Sequence, residues 1–275
     1  MDVLVCVAYQ LGAGPQLAFG DIFGSIGRTG PLTLLHVVPR DGDREAAERW
    51  LAEARAKLEC GSVEIRIREG DPGSEILAEI DEGSYGLVIL GPNEAPGLRR
   101  YFLGSVTTRV VRRAPISVLV ASQARSRLER ILICTGGGGI GELVIREGAR
   151  LAQAVEAQAT LLHVVTPVAS MYTGLGEIEE SLSELLQTDT PIARSLRSGA
   201  EILDRRGVPA GLKLRYGVVA DEIVRESEEG DYDLILMGAK RGMVRFKRLM
   251  LGPMTKQVIE KSVRSVLILR QVLGS

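Results

Sequence analysis

The sequence predicts an α/β protein of two tandem doubly wound domains, each with a five-stranded parallel sheet. Three observations predict it. Short apolar runs rich in Val, Ile and Leu alternate with helical patterns. The whole alternation occurs twice, and 275 residues suit two domains of about 125–150 residues. Apolar residues make up 45% and charged residues 25%, too apolar a balance for disorder. Lys and Arg total 34 against 35 Asp and Glu, which removes a bulk basic footprint for nucleic acid or an anionic membrane. No apolar run reaches the roughly 18 residues of a membrane span. The opening MDVLVCVAYQ reads as a strand, not a signal peptide. A cytoplasmic location follows as an expectation, with Cys6, Cys60 and Cys134 as buried reduced thiols.

The repeat sets the elements in order. Val3 to Cys6 (VLVC) recurs as Ile131 to Cys134 (ILIC), and Thr33 to Val38 (TLLHVV) recurs letter for letter as Thr160 to Val165. Gly70, Glu75, Glu79, Glu82, Tyr85 and Gly91 find identical partners 147 positions on, whereas the histidines stand 127 apart. The second copy therefore carries about twenty extra residues after Val165. Strands are predicted over 2–8, 31–38, 62–68, 86–91 and 116–121, then 130–135, 159–165, 210–216, 232–238 and 264–270. Val63, Ile65 and Ile67 alternate with charged residues, as on a half-exposed strand nearer an edge. Phe19, Ile22, Phe23 and Ile26 keep helical spacing, so a short helix is expected despite six glycines in 12–30. A longer helix is expected over 140–157. The predicted domains are 1–122 and 130–275, joined by polar residues 123–129.

The repeated strands, the glycine-ended fourth strand and the Leu103-Gly-Ser-Val106 helix start resemble the universal stress protein family, over nearly the whole chain and twice. The resemblance implies a Rossmann-like, adenine nucleotide alpha hydrolase-like fold and a binding or regulatory role in the stress response. Nucleotide-binding members carry G-x2-G-x9-G-[ST] before the last helix and an aspartate at the end of strand one that contacts adenine. The implied ligand is ATP or AMP, with magnesium, or another small anion. The chemistry is sound, because glycines let backbone N–H groups approach phosphate and a helix N-terminus adds unpaired donors.

Both copies depart from that pattern. Copy one matches at Gly91, Gly104 and Ser105, but Glu94 replaces the second glycine and Ala8 the aspartate. A carboxylate about 5 Å from a phosphate charge costs about 3 kcal/mol at an effective dielectric of 20. Arg99 and Arg100 offset it in part. Copy two keeps Gly238 and Gly252, while Gly242 arrives one residue late and Gly136 takes the aspartate position. Pro253 replaces the Ser/Thr, deleting a hydroxyl and a backbone N–H. Weak or lost nucleotide binding is expected, with copy one favoured for its Gly-Ser pair. Val37, Val106, Thr135, Gly137 and Val164 complete the candidate set.

Other features carry quieter readings. Thr135 to Gly139 is a turn, with a backbone nest for an anion as the alternative. His36 and His163 have no ligand-spaced partner and read as structural. Lys240, Arg241, Arg245, Lys247 and Arg248 form a solvated basic loop or an anion-steering one. Residues 167–190, with Met171 and Tyr172, are expected to cover the second crevice as a loop running into a helix. Two other classes fit the same chain: a slow ATP-hydrolysing or adenylyl-transferring enzyme, and a ligand-free interaction scaffold. No catalytic residue and no metal site are assigned. The last strands, Val118 to Val120 and Val266 to Leu269, are expected to pair within the chain, covering unpaired edge groups. Further homo-oligomerisation is compatible with the sequence, which does not specify its surface.

Overall fold

The computed structural model describes residues 2–8, 14–26, 31–91, 104–136, 138–166, 181–239 and 252–270. Its first half runs β1 (Asp2–Cys6), α1 (Gly14–Ser25), β2 (Leu32–Val38), α2 (Arg44–Ala56), β3 (Val63–Glu69), α3 (Pro72–Glu82), β4 (Tyr85–Leu90), α4 (Ser105–Arg113) and β5 (Ser117–Val120). The second runs β6 (Arg130–Cys134), α5 (Gly138–Ala154), β7 (Gln158–Val165), α6 (Leu182–Gln187), α7 (Pro191–Arg205), β8 (Ala210–Tyr216), α8 (Val219–Glu229), β9 (Leu234–Gly238), α9 (Pro253–Lys261) and β10 (Ser265–Leu269). Every predicted strand is present, with ends shifted by a residue or two. The short helix at Phe19 and Phe23 is also there, and both rings are buried.

All ten strands form one sheet in the order β3-β2-β1-β4-β5-β10-β9-β6-β7-β8. Within each half the strands are parallel, and the halves meet where β5 pairs antiparallel with β10. Val120 faces Val266, Leu119 faces Leu267 and Val118 faces Ile268, the segments expected to pair. The charged, alternating β3 and its counterpart β8 take the two outer edges.

Successive strand residues point to opposite faces, so the sheet carries two cores. One collects Val3, Leu87, Leu119, Leu236 and Leu267 beneath α1, α2, α5 and α7. The other collects Leu4, Val88, Val118, Ile235 and Val266 beneath α3, α4, α8 and α9. Asp43, Asp71, Ser181 and Thr190 cap α2, α3, α6 and α7 through their side chains. The joining segment is less slack than its polar composition suggests. Leu128 is buried in the first core, and Asp233 accepts from Glu129 N at 2.7 Å and Arg130 N at 3.0 Å.

Candidate functional site

In each half the strand order reverses beside the first strand, between β1 and β4 and between β6 and β9. Crevices of such sheets open there, beyond the carboxyl ends of the strands. Both crevices exist, and they differ fourfold in size.

The first is a cavity of about 160 Å³. Ala8, Val37, Gly91 and Val106 line it with Cys6, Gln16, His36 and Thr107. Gly104 caps α4 without a side-chain hydrogen bond, so the N-cap residue supplies no acceptor to the first-turn N–H groups. The Gln16 carboxamide stands beside Gly91. A Cβ on Gly91 would meet that carboxamide, the mobile end of a flexible side chain that a substitution would have to displace. Thr107 Oγ1 donates to the Gly91 carbonyl at 3.1 Å, tying α4 to the strand end. Glu94, Arg99 and Arg100 lie outside the described residues.

The second cavity holds about 620 Å³. Thr135, Gly136, Val164, Gly238 and Gly252 line it, together with Ile140, Val144, Val219, Ile223, Met237 and Met254. Here Ile140 takes the place of Gln16 and stands over Gly238. Gly252 caps α9 with no side-chain bond, and a Cβ there would meet nothing within 4 Å. Among the described residues the lining carries no charged side chain. Gly137, Gly242 and the five basic residues of 240–248 lie outside the described residues.

Three expectations meet this geometry. The Gly-Ser pair pointed to copy one, whereas the larger described cavity is in copy two. The glycine run, read as a turn with a nest as the alternative, leads straight into a helix. Gly138 and Gly139 are the first turn of α5, and neither Gly136 nor Gly139 has the positive φ that a nest alternates with. Of the inserted segment, residues 167–180 lie outside the described residues. Its described helix α6 packs on α7, with Leu185 in the first core, and contributes nothing to the second cavity. Met171 and Tyr172 lie outside the described residues.

The histidines brace the same places in both halves. His36 Nδ1 lies 2.8 Å from the Val7 carbonyl, and His163 Nδ1 lies 2.9 Å from the Thr135 carbonyl. A carbonyl only accepts, so Nδ1 carries the proton and ties the second strand to the end of the first. Cys6 and Cys134, on the crevice walls, are buried; burial pushes both thiols up, and Glu79 and Glu226 add to it. Thiols of that kind are not nucleophiles near neutral pH.

Sequence reading aligned Glu75, Glu79, Glu82 and Tyr85 with Glu222, Glu226, Glu229 and Tyr232 but gave them no role. They form one lattice twice. Arg68 on β3 bonds Glu75, Glu79 and Glu82 at 2.9–3.0 Å, and the Tyr85 hydroxyl donates to Glu79 at 2.8 Å. In the second half Arg215 and Lys213 each reach Glu226 at 2.6 Å. This lattice pins the edge strand to α3 or α8, away from the crevice mouths. Its signal was the i, i+4 and i+7 spacing of the repeated glutamates opposite alternating cations on the strand.

Residues 25–122 and 127–270 match the sequence model described as the universal stress protein family. A universal stress protein of Synechocystis sp. is 25% identical over 230 residues, 83% of this chain and 73% of that one. One from Methanothermobacter thermautotrophicus is 29% identical over 143 residues, 52% of this chain and 96% of that one, about one repeat. The fold superposes on a universal stress protein from Archaeoglobus fulgidus with a TM-score of 0.74 at 18% identity, covering 98% of each chain. A protein of unknown function from Pseudomonas aeruginosa gives 0.72 at 20% identity, with 98% of this chain and 92% of that one covered.

Proposed function

Since the chain belongs to the universal stress protein family, we propose that it is a stress-response binding module whose second crevice takes an adenine nucleotide weakly. One observation carries the reading. The 620 Å³ cavity falls within the roughly 300–1,000 Å³ of ligand sites, and the 160 Å³ one falls below it. The open first turn of α9, beginning at Gly252, supplies donors for an anion at one end. Val164, Leu162 and Met237 offer apolar faces for a base.

Weakness has three causes. Gly136 offers no side chain where an adenine-contacting carboxylate would stand. Pro253 removes one N–H from the cradle. No cation lines the described wall to neutralise a phosphate. Cys134, Thr135 and His163 also line the wall, but burial keeps the Cys134 thiol protonated and His163 Nδ1 donates to the Thr135 carbonyl, which favours binding over hydrolysis.

Titration calorimetry of the full chain with AMP and with magnesium ATP tests this. The expected result is one saturable site with a dissociation constant of about 1 mM or somewhat tighter. Gly252→Val weakens it, and Ala8→Phe, which fills the first crevice, leaves it unchanged. Absence of heat well above that concentration, or sensitivity to Ala8→Phe alone, overturns the reading.

A further inference from the structure

The two faces of the β5–β10 junction are covered unequally. On one face α4 and α9 lie over it, and Val110, Val111, Val258 and Ile259 share a core with Val118, Val120, Val266 and Ile268. On the other, α1 packs on β1 and β4 and α5 packs on β6, β7 and β9. Between these two helices is a cavity of about 470 Å³, floored by Leu87, Leu236, Leu267 and Leu269. It is separate from both crevices and shares no lining residue with either.

Its walls are chemically unlike, although the repeats that build it are related. The α1 side presents Phe23 and, just past the helix end, Ile26. The α5 side presents Arg146 and Arg150 with a single carboxylate, Glu147, which Arg150 holds at 3.0 Å. Arg146 has no acidic partner among the described residues; Arg270 also lines the cavity, but its guanidinium donates to the Val111 and Ala114 carbonyls of the opposite core, so the excess charge is that of Arg146. An apolar floor and wall beside an excess of guanidinium groups matches a ligand with a hydrocarbon body and an anionic head. The planar fork of arginine favours a carboxylate.

The geometry points to this seam cavity as a binding site for a long-chain aliphatic carboxylate, the chain lying on Leu87 and Leu267 and the head meeting Arg146 and Arg150. The site does not depend on nucleotide binding at the crevices.

The test is fluorescence titration of the full chain with the fluorescent fatty acid cis-parinarate, followed by displacement. Saturable one-to-one binding is expected, displaced by palmitate and not by methyl palmitate. Arg146→Ala and Arg150→Ala each weaken it about fivefold, the scale of one half-exposed ion pair, and more so at low salt. Ala154→Trp closes the cavity from an exposed position and abolishes binding, whereas Met254→Trp at the second crevice leaves it intact. Binding that is lost in Met254→Trp and kept in Ala154→Trp assigns the fatty acid to the crevice and overturns the proposal. So does equal displacement by the uncharged ester, or no saturable binding.

Discussion

Ser117 and Ser265 hold equivalent places at the starts of the two last strands, and each caps the far end of the other's strand. Ser117 Oγ accepts from the backbone N–H of Arg270 at 3.3 Å, and Ser265 Oγ accepts from that of Ser122 at 3.1 Å. Both serines are buried, so each bond satisfies an N–H at the point where the antiparallel ladder runs out. Ser117→Ala and Ser265→Ala are expected to lower stability by about 1 kcal/mol each, and the pair by about 2 kcal/mol, because they sit at opposite ends of the ladder. Urea unfolding of the two single variants and the double variant measures this. A double variant no worse than either single one shows that the two ends are not independent.

Glu226 predicts the acid response. It is fully buried, and burial alone would raise its pKa; the bonds from Lys213 and Arg215 outweigh that and hold it below the ordinary glutamate value. A native pKa below the unfolded one adds stability that is complete above the ordinary carboxylate range. That stability drains as pH falls through the lowered native value. Glu226→Gln should therefore cost about 3 kcal/mol at pH 7, since it leaves two cations facing a neutral group. It should also flatten the fall in urea midpoint between neutral and acid pH. An unchanged acid slope in the variant would assign that slope to other carboxylates.

The strands were legible because each is a short apolar run bounded by polar or glycine residues, and β3 announced its edge position through Glu64, Arg66 and Arg68. The seam was legible too, since Val118 to Val120 and Val266 to Leu269 had no other partner on their outer side. The crevices were less so. Gly91 and Gly238 match a phosphate loop on spacing, yet a side chain of the first helix sits on each, and nothing in the spacing of Gln16 or Ile140 reveals that. A motif in sequence records which backbone positions need glycine. It does not record whether the neighbour that requires it is a phosphate or a packed side chain. The seam cavity was invisible for a related reason: it belongs to neither repeat, and only the antiparallel docking creates it.

The two histidines make a structural prediction with a built-in control. If the Nδ1–H to Thr135 bond is what His163 contributes, then His163→Asn, which keeps a donor near that atom, should lose less than His163→Ala. About 1 kcal/mol against about 2 kcal/mol is expected, the larger figure adding a small void to the lost bond. The same order is expected at His36, where the Trp50 ring at 5.6 Å adds a packing loss common to both substitutions. Denaturant midpoints decide it; equal losses for Asn and Ala would remove the hydrogen bond from the explanation.

Gly238 and Gly252 separate packing from ligand access within one crevice. A Cβ at Gly238 would lie 2.5 Å from Ile140 Cγ1 and 2.9 Å from Val144 Cγ2, so Gly238→Ala must push α5 off the strand end. Overpacking of this kind costs about 1–3 kcal/mol. Gly252→Ala meets nothing, and its φ of −63° suits any residue, so its cost should stay under about 1 kcal/mol. The added methyl nevertheless projects where an anion would approach the first turn of α9. Thermal unfolding should thus rank Gly238→Ala well below Gly252→Ala. Nucleotide titration of the still-folded Gly252→Ala should show weakened binding although its stability is nearly unchanged. Full retention of binding in that variant would mean that the anion does not lie over the α9 N-terminus, leaving the apolar wall around Val164 and Met237 as the remaining point of attachment.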